Sequence, residues 1–316
     1  MPLFINGLQV QRTPTVDSFI DEYPHFKESS QYLLKQEVRV VGPQQLLYVG
    51  QREVAGTFPL DESVSVLGSE DATTCHIAVL RHTSSGATSL IHFDGCSTTE
   101  GLKTMISIVT ELTENMSSGR LEFHLVGGFD DKRRNSHEVS DKVFIALCEC
   151  ADDIHLVTAC ITHHNTVYKQ DSMPFPIIYG LAVDVKTGLL YRATFPDKGP
   201  DLPLRSARHF TGGKENIVIY DHWKRELVIG PFDYETMPDV DIYLTLPNSI
   251  IRKYLSTSPE QEPEDFEDSV RASLVQLRDF PQPLVSIFKD GQPRRYKKDN
   301  TSGAWVLVNK GSNIRI

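Results

Sequence analysis

No apolar run in the 316-residue sequence approaches the roughly 18 residues that a membrane-spanning helix requires. Positive charge is also scarce, because 32 Lys and Arg residues face 42 Asp and Glu residues, a formal net charge of −10. An acidic chain repels phosphate, which argues against nucleic-acid partners. The opening Met-Pro-Leu-Phe-Ile-Asn-Gly lacks the basic segment and long apolar core of a secretory signal peptide. We therefore expect a cytoplasmic protein, with or without access to the nucleus, that binds neither membranes nor nucleic acid.

Cysteine is sparse and irregularly spaced. Five cysteines occur: Cys75, Cys96, Cys148, Cys150 and Cys160. This odd set is unlike the dense, even framework of a small disulfide-bonded scaffold, so reduced thiols are expected. Cys148 and Cys150 enclose one residue, where zinc sites use two to four, and no second pair completes four ligands. Neither the glycine spacing of a dinucleotide site nor that of a P-loop occurs, so we expect neither a metal nor an organic cofactor.

Apolar content of 40% is ample for a full core. Leu102, Met105, Ile106 and Val109 recur at helical spacing after Ser97-Thr98-Thr99-Glu100, which fits a capping box. A second helix is predicted around Val139–Leu147, and a third with Phe266, Val270, Leu274 and Leu277 on one face.

The second half of the chain is rich in predicted strands, among them Ile217–Tyr220, Leu227–Gly230 and Val240–Leu246. Most of the helices fall in the first half, a distribution typical of strands layered in two sheets with helices on one face. We expect an α+β fold and a single domain of residues 1–316, with the C-terminal helix and strands of residues 256–316 packed on it. The lack of a heptad pattern and the acidic surface favour a monomer.

A β-hairpin is predicted around a short connection, Thr83-Ser84-Ser85-Gly86, between the apolar runs Ile77–Leu80 and Ala87–Phe93. Closing the hairpin there places His92 opposite Ile77. Because side chains alternate along a strand, Cys75 then shares the face of His92 as its diagonal neighbour, roughly 7–8 Å away between Cα atoms.

Pairing shifted by an odd number of residues would break this arrangement. His76 or another histidine would then take the place of His92 on the face of Cys75.

A cysteine and a histidine that converge in this way suggest nucleophilic catalysis. A free thiol is mostly protonated at neutral pH, and an adjacent imidazole shifts it toward the nucleophilic thiolate. Ser69, at a turn before Cys75, is a candidate for the group that hydrogen-bonds the second ring nitrogen and fixes the tautomer. The alternative interpretation is a buried structural thiol beside a strand histidine, with Ser69 as an ordinary turn residue.

The run Leu67–Ile77, with Val79-Leu80-Arg81-His82-Thr83 after it, resembles the signature region of the protein N-terminal asparagine amidohydrolases. Similarity continues through four further segments: His124–Phe129, Asp152–Thr158, Ile178-Tyr179-Gly180 and Leu255–Pro259. The resemblance therefore spans nearly the whole chain.

The resemblance implies a layered α-β-β sandwich similar to that of cytotoxic necrotizing factor and the bacterial chemotaxis receptor deamidases. It also implies a catalytic triad of Cys75 as nucleophile, His92 as base and Ser69 as orienting group. The implied reaction is deamidation of an N-terminal Asn of a protein or peptide substrate to Asp in the N-degron pathway, which leads to ubiquitin-dependent degradation. A cysteine peptidase, a transamidase or a non-enzymatic N-terminus-binding module remain alternatives.

An enzyme that selects an N-terminal residue needs an acceptor for the α-ammonium group. Asp94 shares the face of His92, and its carboxylate can make a charge-assisted hydrogen bond. We predict Asp94 as the substrate-binding residue, with Glu70 and Asp71 as competing choices and a solvated strand-end acid as the alternative.

Overall fold

The computed structural model describes residues 3–113 and 118–308. The helices in chain order, α1 to α9, are Val16–Glu22, His25–Leu34, Thr98–Leu112, Asn135–Glu149, Leu202–Ala207, Val240–Thr245, Asn248–Leu255, Phe266–Asp279 and Pro283–Ser286. Strands β1 to β10 are Leu3–Ile5, Leu8–Gln9, Arg39–Val40, Leu46–Tyr48, Glu53–Thr57, Val66–Ser69, His76–His82, Thr88–Phe93, Leu121–Gly127 and Ile154–Ile161. Strands β11 to β19 are Thr166–Tyr168, Pro174–Pro176, Leu181–Asp184, Leu190–Thr194, Ile217–Val218, Tyr220–Asp221, Glu226–Ile229, Arg294–Lys298 and Trp305–Leu307.

A large sheet and a smaller sheet dominate the architecture. The large sheet has the strand order β15-β5-β8-β7-β9-β10-β1-β2, and the smaller sheet has the order β3-β14-β13-β6-β4. Strands β16 to β19 form a third sheet in chain order, and β11 pairs with β12. The protein is thus a mixed α and β structure with several sheets, consistent with the predicted α+β class.

Side-chain alternation divides the core between the two faces of the large sheet. On one face, Ile77, Val79 and Leu90 pack in a cluster with Leu67 and Leu181 of the smaller sheet. On the other face, residues of β7 and β8 pack against helices α3 and α4: Ala78, Leu80, Ile91 and Phe93 with Leu102, Met105, Val143 and Phe144. Helices α3 and α4, the large sheet and the smaller sheet therefore lie in that order, while apolar residues of α5, α7 and α8 pack in the same cluster as the facing sides of the two sheets.

Helix α3 confirms the helix predicted from the spacing of its apolar residues, but the predicted capping box is wrong. Ser97 precedes the helix with φ +46° and its side chain makes no capping hydrogen bond. A capping serine requires extended backbone. Here the turn from β8 into α3 instead places Ser97 in the left-handed region.

The segment Val240–Leu246, predicted as a strand, forms helix α6. Alternation would place Val240, Ile242 and Leu244 on one face. The structure instead packs Val240, Tyr243 and Leu244 against the core and leaves Ile242 60% exposed. Spacing of three and four residues is the pattern of a helix, and contacts with distant parts of the chain select it here.

Arg271 of α8 stabilises the end of α6. Its guanidinium donates to the backbone carbonyls of Leu244 at 2.7 Å and Leu246 at 2.6 Å. These carbonyls have no partner within the helix, as is general for the last turn of a helix.

Within residues 3–113 and 118–308, no helix is both long and apolar enough to cross a membrane.

Replacing Arg271 with Met is expected to lower the free energy of unfolding by about 1–2 kcal/mol, because two carbonyls lose a charged donor. Amides of residues 240–246 should also exchange faster with deuterium, measured by mass spectrometry beside urea denaturation. Arg278→Met is the matched control, since Arg278 lies on the same helix and pairs with its neighbour Asp279. Equal effects of the two substitutions would contradict this account of α6.

Candidate active site

Ser69 and His92 meet across the gap between the two sheets. Ser69 ends β6 in the smaller sheet, and His92 lies in β8 of the large sheet. The Ser69 hydroxyl and His92 Nδ1 are 2.8 Å apart, and the two residues are 0% and 2% exposed. A hydrogen bond shielded from water in this way fixes both the plane and the rotation of the imidazole ring. The structure therefore brings together the two residues that the sequence proposed as base and orienting group.

Cys75 lies in the loop that enters β7. Strands β7 and β8 pair with Ile77 opposite His92, which confirms the predicted register. Cys75 and His92 both line one cavity of about 600 Å³. Cys75 is partly exposed there, and the buried Nε2 atom of His92 has no hydrogen-bond partner among the described residues. An imidazole bound through Nδ1 and open at Nε2 is poised to exchange a proton inside this cavity.

Two glycines at the end of β9 hold the backbone of Cys75. The Gly128 N–H donates to the Cys75 carbonyl at 2.8 Å. Gly127 has φ +134°, and a Cβ atom there would lie 2.6 Å from the same carbonyl oxygen. A larger side chain would therefore displace the cysteine. Because the Gly128 N–H is already bonded, its role here is to support the tight turn and not to bind an anion.

Burial keeps the cysteine and histidine neutral in the free protein. Burial raises the pKa of the Cys75 thiol. The charges of Asp94 and Glu262 raise this pKa further, whereas the charge of Arg52 lowers it. Burial also lowers the pKa of His92 to about 4. Desolvation of the thiol acts against the thiolate in the free protein, and the shift that an adjacent imidazole would bring stays a prediction.

Asp94 lines the cavity but is already bonded. One carboxylate oxygen accepts from Arg52 at 2.6 Å and from Gln51 at 2.8 Å, and the other accepts from the Cys96 N–H at 2.9 Å. Burial raises the pKa of Asp94, but the Arg52 charge and these hydrogen bonds outweigh burial and hold this pKa below its usual value. The negative charge of Asp94 is therefore already compensated by Arg52 and by these hydrogen bonds.

The neighbouring histidines of the hairpin lie away from the cavity. His76 Nε2 is 2.8 Å from the Ser140 hydroxyl of α4, on the helix side of the large sheet. His82 lies at the far end of β7, where its Nδ1 is 2.9 Å from the Ser85 hydroxyl. Both positions follow from the predicted alternation.

Sequence reasoning missed the contribution of residues 256–265 to the cavity. Thr257 bonds Thr74 beside the cysteine at 2.9 Å between hydroxyl oxygens, and Glu262 faces the same space. This segment follows helix α7 far along the chain, so no local pattern links it to Cys75. Lys198 was also missed, and it forms ion pairs with Glu70 at 2.8 Å and Asp71 at 2.6 Å.

Metal ligation finds no support in the cavity. Among residues 3–113 and 118–308, no three or more His, Cys, Asp or Glu side chains are arranged to hold a metal ion. The Cys75 thiol and the His92 imidazole line the cavity, and the Ser69 hydroxyl bonds the imidazole.

Comparison with known proteins places the chain among the amidohydrolases. The family model for protein N-terminal asparagine amidohydrolase matches residues 36–307. The chain belongs to this family.

Three curated relatives carry the name Protein N-terminal asparagine amidohydrolase. The relative from Sus scrofa is 43% identical over 311 residues, 98% of this chain and 99% of its own length. Those from Mus musculus and Homo sapiens are 43% and 42% identical over 308 residues, 98% of this chain and 98% of each relative. The similarity therefore includes both sheets and the segment around Glu262.

Alkylation of Cys75 in the free protein should be slow at neutral pH. Because the thiol pKa is raised, the thiolate fraction should still grow about tenfold per pH unit at pH 10, above the ordinary thiol pKa of about 8.5. The rate of iodoacetamide labelling of the Cys75 peptide, followed by mass spectrometry from pH 5 to 10, measures this. Urea-unfolded protein is the control, with the plateau of an ordinary thiol. A plateau already reached near pH 6 would instead indicate a thiolate–imidazolium pair.

Proposed function

We propose that this protein deamidates the side chain of an N-terminal asparagine of proteins or peptides to aspartate, with release of ammonia. Membership of the family and the names of the relatives support the substrate. The observation that carries the mechanism is the His92 ring, which lines the cavity of Cys75, is held by Ser69 at Nδ1 and has a buried Nε2 atom without a partner in the described residues.

The first half of the proposed reaction forms a thioester. For Nε2 to accept a proton, Nδ1 must carry the ring hydrogen and donate it to the Ser69 oxygen. Cys75 Sγ attacks the side-chain carboxamide carbon as its proton passes to His92 Nε2. Backbone N–H groups near the nucleophile stabilise the tetrahedral oxyanion. His92 then returns the proton to the departing nitrogen, the C–N bond breaks and ammonia leaves.

The second half hydrolyses the thioester. Water gives a proton to His92 Nε2 and adds to the same carbon, and collapse of this intermediate breaks the C–S bond. The proton on His92 restores the Cys75 thiol, and the product is an N-terminal Asp. Neutral resting forms of Cys75 and His92 suit this cycle, since each proton transfer occurs together with attack.

We also propose the wider setting that the resemblance implies. The layer order of helices, large sheet and smaller sheet supports a deamidase-type cysteine hydrolase fold formed by one catalytic domain of residues 1–316, on which residues 256–316 pack. The protein would act as a monomer without a cofactor, in the cytoplasm with or without nuclear access. Its product, an N-terminal Asp, would then enter the N-degron pathway toward ubiquitin-dependent degradation.

Peptides that begin with Asn should release ammonia and gain one dalton in the presence of the wild-type protein. Cys75→Ala should abolish turnover because the nucleophile is lost, while Cys150→Ala, a cysteine remote from the cavity, should retain it. Gln-initiated, N-acetylated and internal-Asn peptides serve as substrate controls. A folded wild-type protein that releases no ammonia from the Asn peptide would refute the proposed reaction.

Ser69→Ala should lower kcat by roughly 10- to 100-fold with little change in KM, because the imidazole loses the bond that fixes its tautomer. Ser140→Ala is a matched control, since it removes another buried serine–histidine bond, to His76 on the opposite face. Steady-state ammonia release, with thermal melts of both variants, separates positioning from stability. Similar losses of kcat in the two variants would argue that Ser69 acts only through the fold.

A further inference from the structure

A second cavity of about 1160 Å³ adjoins the catalytic cavity. Both cavities are lined by a set of residues at their junction: Glu70, Asp71, Lys198, Leu202, Glu262, Pro263, Asp265 and Ser269. Cys75 and His92 line the catalytic cavity, and the buried Nε2 atom of His92 has no hydrogen-bond partner among the described residues. A peptide with its first residue at Cys75 can therefore extend outward past Glu262.

Most carboxylates that line the catalytic cavity already have a cationic partner. The pairs are Glu53 with Arg205, Glu70 and Asp71 with Lys198, and Asp94 with Arg52. Asp265 is exposed to solvent at the start of α8. In the described part of the chain, Glu262 is the remaining partly buried carboxylate of this lining, and no Lys or Arg lies within ion-pair distance of it.

The loop of residues 256–265 holds the Glu262 side chain at the cavity. One carboxylate oxygen accepts a hydrogen bond from the Ser256 hydroxyl. The nearby Arg252 donates to both carboxylate oxygens of Glu267, at 2.6 and 2.9 Å, and to the backbone carbonyl of Glu262 at 3.1 Å. Burial raises the pKa of Glu262 to about 7; the charge of Asp71 adds to this rise, and the Ser256 hydrogen bond and the charge of Arg252 oppose it. A partly desolvated carboxylate without a counter-ion is costly, and a bound cation would remove this cost.

We infer that Glu262 accepts the α-ammonium group of the substrate's N-terminal residue and so selects a free N-terminus. This inference rests on the proposed function. The α-nitrogen of asparagine is three bonds from the carbon that Cys75 attacks, so its acceptor must lie near Cys75. Glu262 satisfies this condition, since it lines the same cavity as Cys75 and Thr257 of its loop bonds Thr74. Asp94 lines the cavity too, but its carboxylate already accepts from Arg52, Gln51 and the Cys96 N–H.

The test compares an Asn-initiated peptide with a succinamoyl peptide, which keeps the carboxamide but has hydrogen in place of the α-ammonium. The wild-type protein should prefer the Asn peptide in kcat/KM. Glu262→Gln should lower kcat/KM for the Asn peptide by roughly 10- to 100-fold, because a charge-assisted hydrogen bond is lost. The value for the succinamoyl peptide should not fall, so the preference collapses.

Asp268→Asn and Asp94→Asn complete the comparison. Asp268 is exposed on α8 and lines neither cavity, so its variant should keep the wild-type preference. An Asp94→Asn variant that alone loses the preference would overturn the inference and assign the α-ammonium to Asp94. A Glu262→Gln variant that keeps the preference would overturn it as well.

Two further measurements keep the inference separate from the proposed function. Absence of ammonia release by the wild-type protein refutes the reaction itself, whereas a wild-type protein that is active but shows no preference for the α-ammonium refutes only the role of Glu262. If Glu262→Gln does not fold, Glu262→Asp, which keeps the charge at a shorter reach, should show a partial loss of preference. Full preference in that variant would count against Glu262.

Discussion

The register between β7 and β8 is the constraint on which the site depends. With Ile77 opposite His92, the odd-numbered residues of β7 and the even-numbered residues of β8 face the smaller sheet. A slip by one residue would move His92 into the helix-side layer, where Phe93 packs with Met105, and would remove it from Cys75. Both apolar layers would then carry misplaced polar groups. The packing that stabilises the fold therefore also fixes the catalytic geometry.

The hydrogen bond between Ser69 and His92 joins the two sheets, so the site depends on how the sheets pack against each other. β6 lies between β4 and β13, and Ser69 pairs with Leu181 in that sheet. Movement between the sheets would therefore rotate or release the imidazole. A site built on two packed sheets in this way is more rigid than one carried on loops alone.

The sequence predicts the features that depend on residues close together in the chain and misses those that depend on contacts between distant segments. The hairpin that brings Cys75 and His92 to one face depends on neighbouring residues and a short connection, so alternation alone predicts it. The resemblance and the turn at Ser69 supplied the third residue. Val240–Leu246 was predicted wrongly because Arg271 and distant apolar contacts select its helix. Glu262 carried no local signal, since only tertiary packing brings its loop to the cavity.

The charges around the cavity link recognition of the substrate to its attack. Asp94 and Glu262 both raise the pKa of Cys75, so they disfavour a thiolate in the empty site. Arg52 already offsets Asp94, whereas Glu262 has no such partner in the described residues. An ammonium group bound at Glu262 would cancel one of these two negative charges and make the thiol easier to deprotonate. A free N-terminus would then ease the transfer of the Cys75 proton to His92 during attack, whereas an acetylated N-terminus would leave the charge of Glu262 uncompensated.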